Sequence, residues 1–388
     1  MKVDLLDGEM YATDPWSVYR WLRAEAPVYH DAENGLWGVS RHADVFAIER
    51  DAKLWRNSGG YRPQLDSDPS MIGHDAPEHT ARRRMVYQRF TPRGTARYAD
   101  KIRATAVDCI DTALEAGTVD AVPALAAPLP ARVIGWLLGF PEESWERLVH
   151  WSATAVVAGG GRRYITDDVT IAAGEFAMAV LEVAKERRGC PSSDLMSIWA
   201  NAGPDDPDYD DQHLAHEALL LLVGGAETTR TVIATALDAL IAHPDQWALL
   251  RDDPSLIPDA VEEFVRWTTP ILNMCRTPVR DAELHGVTVP AGEQVLLMYG
   301  SANRDEAVFD RPEEFDVRRP AGDHIAFGLG PHFCLGASLA RLELRIFFEE
   351  FVARVGTAER ADERGPRILP NSFVRGVTSF PITLTPRR

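Results

Sequence analysis

The segment HLAHEALLLLVGGAETTRTVIATALDALIAH, residues 213 to 243, is long enough as a single helix to cross a domain core at about 1.5 Å per residue. Its middle carries Gly224 and Gly225, followed by Glu227, Thr228 and Thr229. Each interior glycine costs roughly 1 kcal/mol against alanine, so an adjacent pair in an apolar helix needs a reason. Two reasons are open. The helix opens locally there, letting a small ligand approach the backbone beside an acid and an alcohol, or it packs closely on a neighbour with a threonine bonded back to its own turn.

The pattern around this segment is mostly helical. Apolar spacing predicts helices at 15–25 and 41–50, with a short strand, GLWGVS, before the second, and further helices through 78–115, 130–155, 168–187 and 212–242. Residues 57 to 77, rich in Ser, Gly, Pro and Asp, read as a long loop, and GGGRR and GCPSSD interrupt the helical part. After Pro270 the pattern changes to short strands such as VTVPAG and QVLLMYGSA. No repeat or linker is visible, which implies a mainly helical body with a small strand-rich part.

Composition narrows the function. With 41 Lys+Arg against 58 Asp+Glu the net charge is −17, which disfavours nucleic acid or an anionic membrane as main partner. The four cysteines, Cys109, Cys190, Cys275 and Cys334, include no CxxC spacing, so a zinc ribbon, a redox pair and a covalent haem attachment are excluded. Unclustered thiols suit a reducing compartment. The N-terminal MKVDLLDGEMYATDPW has charges where a signal peptide needs an apolar core, and no apolar run of about 18 residues occurs. A cytoplasmic protein without a membrane span is expected.

Three other stretches could carry chemistry. In AVEEFVRW, Glu263 and Arg266 stand three apart and can meet on one helix face; buried, the pair would need further partners, for which Arg319 in FDVRRP is a candidate. In PEHTARRRMV, His79 and Arg83 are i and i+4, a spacing that can hold a carboxylate or phosphate, with Arg82 and Arg84 pointing elsewhere. The alternative in each case is an ordinary exposed group. The last stretch is FGLGPHFCLG, Phe327 to Gly336, directly before a helical run. Backbone N–H groups there would lower the pKa of Cys334 and stabilise a thiolate, a good iron ligand. A nucleophilic or merely buried cysteine is the alternative.

Together, in this order, these pieces resemble the cytochrome P-450 family. The match FxxGxHxCxG, here Phe327, Gly330, His332, Cys334 and Gly336, is highly specific, and the resemblance extends over nearly the whole chain, including SANRDEAVF and PEEFDVRR. It implies one mainly α haem domain over residues 1–388, with small β-sheets around a buried haem. Carried over by position, Cys334 would be the axial thiolate of a non-covalent haem b. His79, Arg83, Arg276 and His332 would bind its propionates; Glu263, Arg266 and Arg319 would brace the thiolate side. Glu227 and Thr228 would form an acid and alcohol pair over the oxygen face, where peroxide-using relatives typically carry Arg and Pro. An O2-dependent monooxygenase follows.

The resemblance further implies electrons from an external ferredoxin and ferredoxin reductase, the former docked by Arg82, Arg84, Arg89 and Arg341. A sensor that binds haem through a thiolate, or a thiol hydrolase, are readings from other classes. The linings implied by the family, loop 57–75, segment 150–190, PILNMCR and LPNSFVRG, are mostly apolar and suit a bulky hydrophobic substrate. LLVGGAETTR, RWTTPILNMCR and FGLGPHFCLGASLARLEL are similar to actinobacterial enzymes that hydroxylate the terminal side-chain methyl of cholesterol, although Ala226 stands where those tend to carry an acid. Tailoring of a macrolide, peptide or other secondary metabolite is the alternative.

Overall fold

The computed structural model describes residues 1–387, and its spine is the segment the sequence singles out. Helix Asp211–Leu222 runs into a π-helical turn, Val223–Glu227, and continues as Thr228–Ala242. The Asp210 carboxylate caps the start by accepting from the His213 N–H. By length and composition alone this helix could cross a membrane. Here it lies inside the main core, packed against Ile257–Thr268, Ala337–Arg354, Pro128–Leu138 and the π-turn Val122–Ala126.

Capping fixes where the surrounding helices begin and stop. Pro15–Glu25 starts with proline at its first position and Asp14 accepting from Trp16 and Ser17. Pro128–Leu138 ends at Gly139, whose φ of 87° is the left-handed conformation a helix terminus uses. The expected helix over 78–115 is three helices, Glu78–Phe90, Pro92–Ala96 and Ala99–Ala116, because Pro92 breaks the ladder. Helix Leu195–Ala200 and strand Thr118–Asp120 fall outside the sequence expectation.

Four small sheets complete the fold. The largest orders its strands Val28–Asp31, Leu36–Val39, Gln294–Leu297, Met274–Pro278 and Trp55–Arg56, with Leu36–Val39 parallel to Gln294–Leu297 and the other pairs antiparallel. It joins the N-terminal part to the strand-rich region after Pro270. Arg276 stands opposite Val295 in this sheet.

Candidate functional site

The turn carrying Cys334 is held by its own backbone. The Cys334 N–H donates to Phe327 O at 2.8 Å, and Gly330 takes φ 65° where any Cβ would lie 2.4 Å from Glu49 O. Glycine is therefore required at that position. Burial pushes the Cys334 thiol up, while the Gly336 N–H, Arg83, Arg341 and the Ala337 N–H pull the other way. Those N–H groups favour the thiolate, and burial opposes them. No cluster of three His, Cys, Asp or Glu side chains exists among the described residues, so a metal beside Cys334 has no further protein ligands of that kind in a group.

Behind this turn Glu263 and Arg266 are both fully buried. Arg266 Nε and Nη2 donate to the two Glu263 oxygens at 2.6 and 2.8 Å, and Nη1 donates to Asn303 O and Pro312 O at 2.9 and 3.0 Å. Arg319 Nε and the Asp316 N–H also donate to Glu263, at 3.3 and 3.2 Å. A buried ion pair is stable only when its remaining groups are satisfied in this way. The pair pins residues 303–319 to the helix Ile257–Thr268, which sets the base of the loop that leads to Cys334.

His79 and Arg83 from helix Glu78–Phe90, Arg276 from strand Met274–Pro278, and His332 and Cys334 all line one cavity of about 370 Å³. The His79 and His332 ring centroids are 4.1 Å apart. Burial, then the charge of Arg83, lowers the His79 pKa to about 4; burial, then His79, Arg276 and Arg83, lowers that of His332 to about 2. His79 Nδ1 is buried with no partner, and Arg83 Nη2 donates to Phe333 O at 2.6 Å. The cluster is rich in donors and poor in acceptors.

Arg276 is different. Its Nη2 donates to both oxygens of Glu49, at 2.8 and 2.9 Å, and the Tyr299 hydroxyl donates to the same carboxylate. A cation expected to serve only cofactor carboxylates thus already has a protein counter-ion. Glu49 was missed, although its place beside Ile48 and Val45 on the buried face of helix His42–Arg50 is the signal that could have found it.

The opposite chemistry sits on the central helix, where the two glycines have separate causes. A Cβ on Gly225 would lie 2.3 Å from Ile134 Cδ1, so that glycine permits close packing, whereas a Cβ on Gly224 would meet open space. The Thr228 hydroxyl donates to Gly224 O at 2.6 Å, and Gly224, Gly225 and Thr228 line the cavity. Both readings of the glycine pair therefore hold in part. Glu227 departs from expectation: it does not line the cavity but turns away, accepting from Ser152 Oγ at 3.0 Å and standing against Arg230. The acid is behind the helix rather than beside the alcohol. Burial raises its pKa against the pull of Arg230 and Ser152.

Two expected docking residues are also placed differently. Arg82 is only 3% exposed; its Nε donates to Glu78 at 2.7 Å and its guanidinium lies 4.8 Å over the Tyr209 ring. Arg341 is committed to Glu262 through bonds of 2.6 and 2.7 Å. Arg84 is exposed, as expected, and Arg89 partly so.

The remaining cavity wall is mostly apolar, with Ile72, Val156, Val223, Ile271 and Phe373 among its residues. The GGGRR stretch shapes this wall indirectly. Arg163 bonds Asp4 and Asn34, and Ser372 donates to Gly160 O, tying the loop to the N-terminal segment and to the turn 370–374.

A haem suits these residues on two grounds: a cavity-lining sulfur without a second clustered metal ligand, and two arginines and two histidines on the same wall, His79 Nδ1 among them unpartnered, matching an iron and two carboxylates. The family model for cytochrome P-450 matches residues 251–377. A steroid C26-monooxygenase of Mycobacterium tuberculosis is 41% identical over 394 residues, 99% of this chain and 97% of that protein. A second, from Mycolicibacterium smegmatis, is 38% identical over 99% of this chain and 96% of its own. A Mycobacterium marinum cytochrome P-450 solved in complex with pseudoionone superposes with a TM-score of 0.91 at 34% identity, over 99% of this chain and 98% of that one. Similarity of that degree over almost the full length of each relative places this chain in the cytochrome P-450 family, as an oxidoreductase with a cysteine-ligated haem.

Proposed function

We propose that this monooxygenase hydroxylates a bulky hydrophobic substrate, a steroid side chain foremost, with electrons from a ferredoxin and its reductase. The observation that carries the reading is that one mostly apolar cavity has Cys334, two arginines and two histidines in its wall and the opened turn of the central helix with Thr228 as well. In this reading residues 1–387 described here belong to one haem domain in the cytoplasm, and the cofactor is haem b, because the sequence offers no thiol pair for covalent attachment. Similarity to the two steroid C26-monooxygenases supports the substrate class.

Bound haem supplies thiolate-assisted O–O cleavage. The chain supplies the rest. Cys334 would ligate the iron, and His79, Arg83 and His332, with the remaining donors of Arg276, would hold the two propionates. Thr228 spends its proton on Gly224 O, which leaves its oxygen free to accept from a water facing the cavity and so to orient that water's other proton. Glu227, held behind the helix by Ser152 and Arg230, supplies protons to this water only by turning toward the cavity, exchanging those partners for it. For electron transfer, exposed Arg84 with Arg89 forms the basic part of the docking face; Arg82 is withdrawn from that role by its burial.

The reduced protein under carbon monoxide tests the ligand: a strongly red-shifted Soret band is expected, and no haem absorbance sinks the reading. Titration with cholestenone is expected to shift the iron to high spin by displacing a distal water, where a macrolide panel does not. A shift with macrolides alone replaces the steroid reading with macrolide tailoring.

A further inference from the structure

Arg62 lies in the loop 57–77, on the wall of the same cavity, along with Tyr61, Met274 and Phe373. Its guanidinium is 3.5 Å from the Phe373 ring centroid and 5.1 Å from that of Tyr61. Stacking of this kind occupies the faces of the planar group and leaves its edge, where all five N–H donors lie. The edge is poorly used. Nη1 points at Met274 Sδ at 3.8 Å, and a thioether is a weak acceptor.

Three fully buried or nearly buried arginines around the cofactor side are treated differently. Arg266, Arg276 and Arg319 each reach a carboxylate. The carboxylate near Arg62 is Asp68, whose oxygens already accept from the Tyr61 hydroxyl and from the Ser70 hydroxyl and N–H. Burial lowers the Arg62 pKa, with Tyr61, Asp68 and Cys275 opposing that shift. A partly desolvated cation without a bonded anion is costly, and part of that cost is recovered when an anion arrives.

Arg62 also stands apart from the cations assigned to haem. Arg62 stacks on Phe373 and Tyr61, whereas His79 packs on His332, Arg83 bonds Phe333 O and Arg276 is held by Glu49. Two arginines and two histidines are already assigned to two propionates, so Arg62 is available to something else.

We infer that Arg62 is a recognition cation, and that the hydrophobic substrate carries an oxyanion, a carboxylate or a sulfate ester, which takes the free edge of its guanidinium. This rests on the proposed reading of a monooxygenase for hydrophobic substrates and adds a charge requirement to it. A bidentate oxyanion pair in a mostly apolar cavity is worth about tenfold or more in affinity over a neutral hydroxyl.

Spin-state titration of the holoenzyme with two matched pairs tests this: a 3-hydroxysteroid against its 3-sulfate, and a branched isoprenoid alcohol against the corresponding carboxylic acid. In at least one pair the anion is expected to bind about tenfold more tightly, with the advantage shrinking as salt rises. Arg62→Gln, which keeps the stacking but not the charge, is expected to erase that advantage at unchanged haem content, and Arg62→Lys to retain part of it. No anion advantage in either pair, whether both members bind alike or neither binds, overturns the inference. So does loss of haem from Arg62→Gln, which would make the cation a cofactor ligand. A protein lacking the thiolate spectrum fails at the underlying reading, whereas a normal spectrum without anion preference fails at Arg62 alone.

Discussion

Two buried glutamate–arginine pairs with identical spacing, Glu263–Arg266 and Glu227–Arg230, have been put to opposite uses. In the first the carboxylate and guanidinium are saturated by Arg319, Asp316 and the carbonyls of Asn303 and Pro312. In the second Glu227 has Ser152 and Arg230 for company, and both Glu227 Oε2 and Arg230 Nε lack a well-directed hydrogen bond. Full satisfaction locks one pair as a brace. Incomplete satisfaction leaves the other with more than one affordable arrangement, which is what a proton carrier needs. Spacing in sequence is thus no guide to role; the count of additional partners is.

The comparison breaks most directly at the brace. Glu263→Ala leaves two buried guanidiniums uncompensated, at about 3–5 kcal/mol, and is expected to abolish soluble holoprotein or drop its melting temperature by many degrees. Unchanged haem content and melting would remove the brace from the account. The next effect is catalytic. Glu227→Gln and Thr228→Ala are expected to keep the thiolate spectrum and the melting temperature while product per electron falls about tenfold or more, with peroxide rising in its place. Thermal collapse of Glu227→Gln would show that this pair too is structural.

A third buried carboxylate sharpens the contrast by stability alone. Burial raises the Glu217 pKa from 4.5 to about 8, against Arg82 and the Met71 N–H. Between those values the folded chain keeps a proton the unfolded chain has released, so stability falls as pH climbs, and the loss is complete above about pH 8. Glu217→Gln is expected to narrow the melting difference between about pH 5 and about pH 9 by a few degrees, read by calorimetry. A difference equal to that of the unaltered protein would show that Glu217 does not titrate in this way. The smallest effect is expected at the surface: Arg84→Glu slows reduction by an acidic ferredoxin a few-fold at low salt and leaves it unchanged at high salt. No dependence on that charge would place the docking face elsewhere.

What was legible in the sequence followed from local rules. The turn around Cys334 announces itself through glycines whose backbone positions admit little else, and the glycine pair at 224–225 was correctly suspect in an apolar helix. What was not legible depended on partners distant in sequence. Arg82 looked like one of four arginines free to dock a partner, but Glu78 one turn before it and Tyr209 far along the chain bury it. Glu49 and Arg62 lie in an ordinary amphipathic helix and an irregular loop. Their meaning arises from Arg276 and Phe373, more than two hundred residues away. The direction of the Glu227 side chain was likewise a tertiary matter, settled by Ser152 on another helix.

The largest sheet carries a consequence for how the chain acquires its shape. Leu36–Val39 lies parallel to Gln294–Leu297, and its neighbour Val28–Asp31 is tied to the rest only through it. Closing a loop of that size precedes any reward from its contacts, so such pairing is slow, whereas the helical body is assembled from nearer neighbours. During synthesis these two strands can pair with each other, but the outer edge of Leu36–Val39 must wait for Gln294–Leu297 until most of the chain has emerged. Slow translation or a missing late segment would leave that strand edge exposed, and it is where misassembly of this protein is expected to begin.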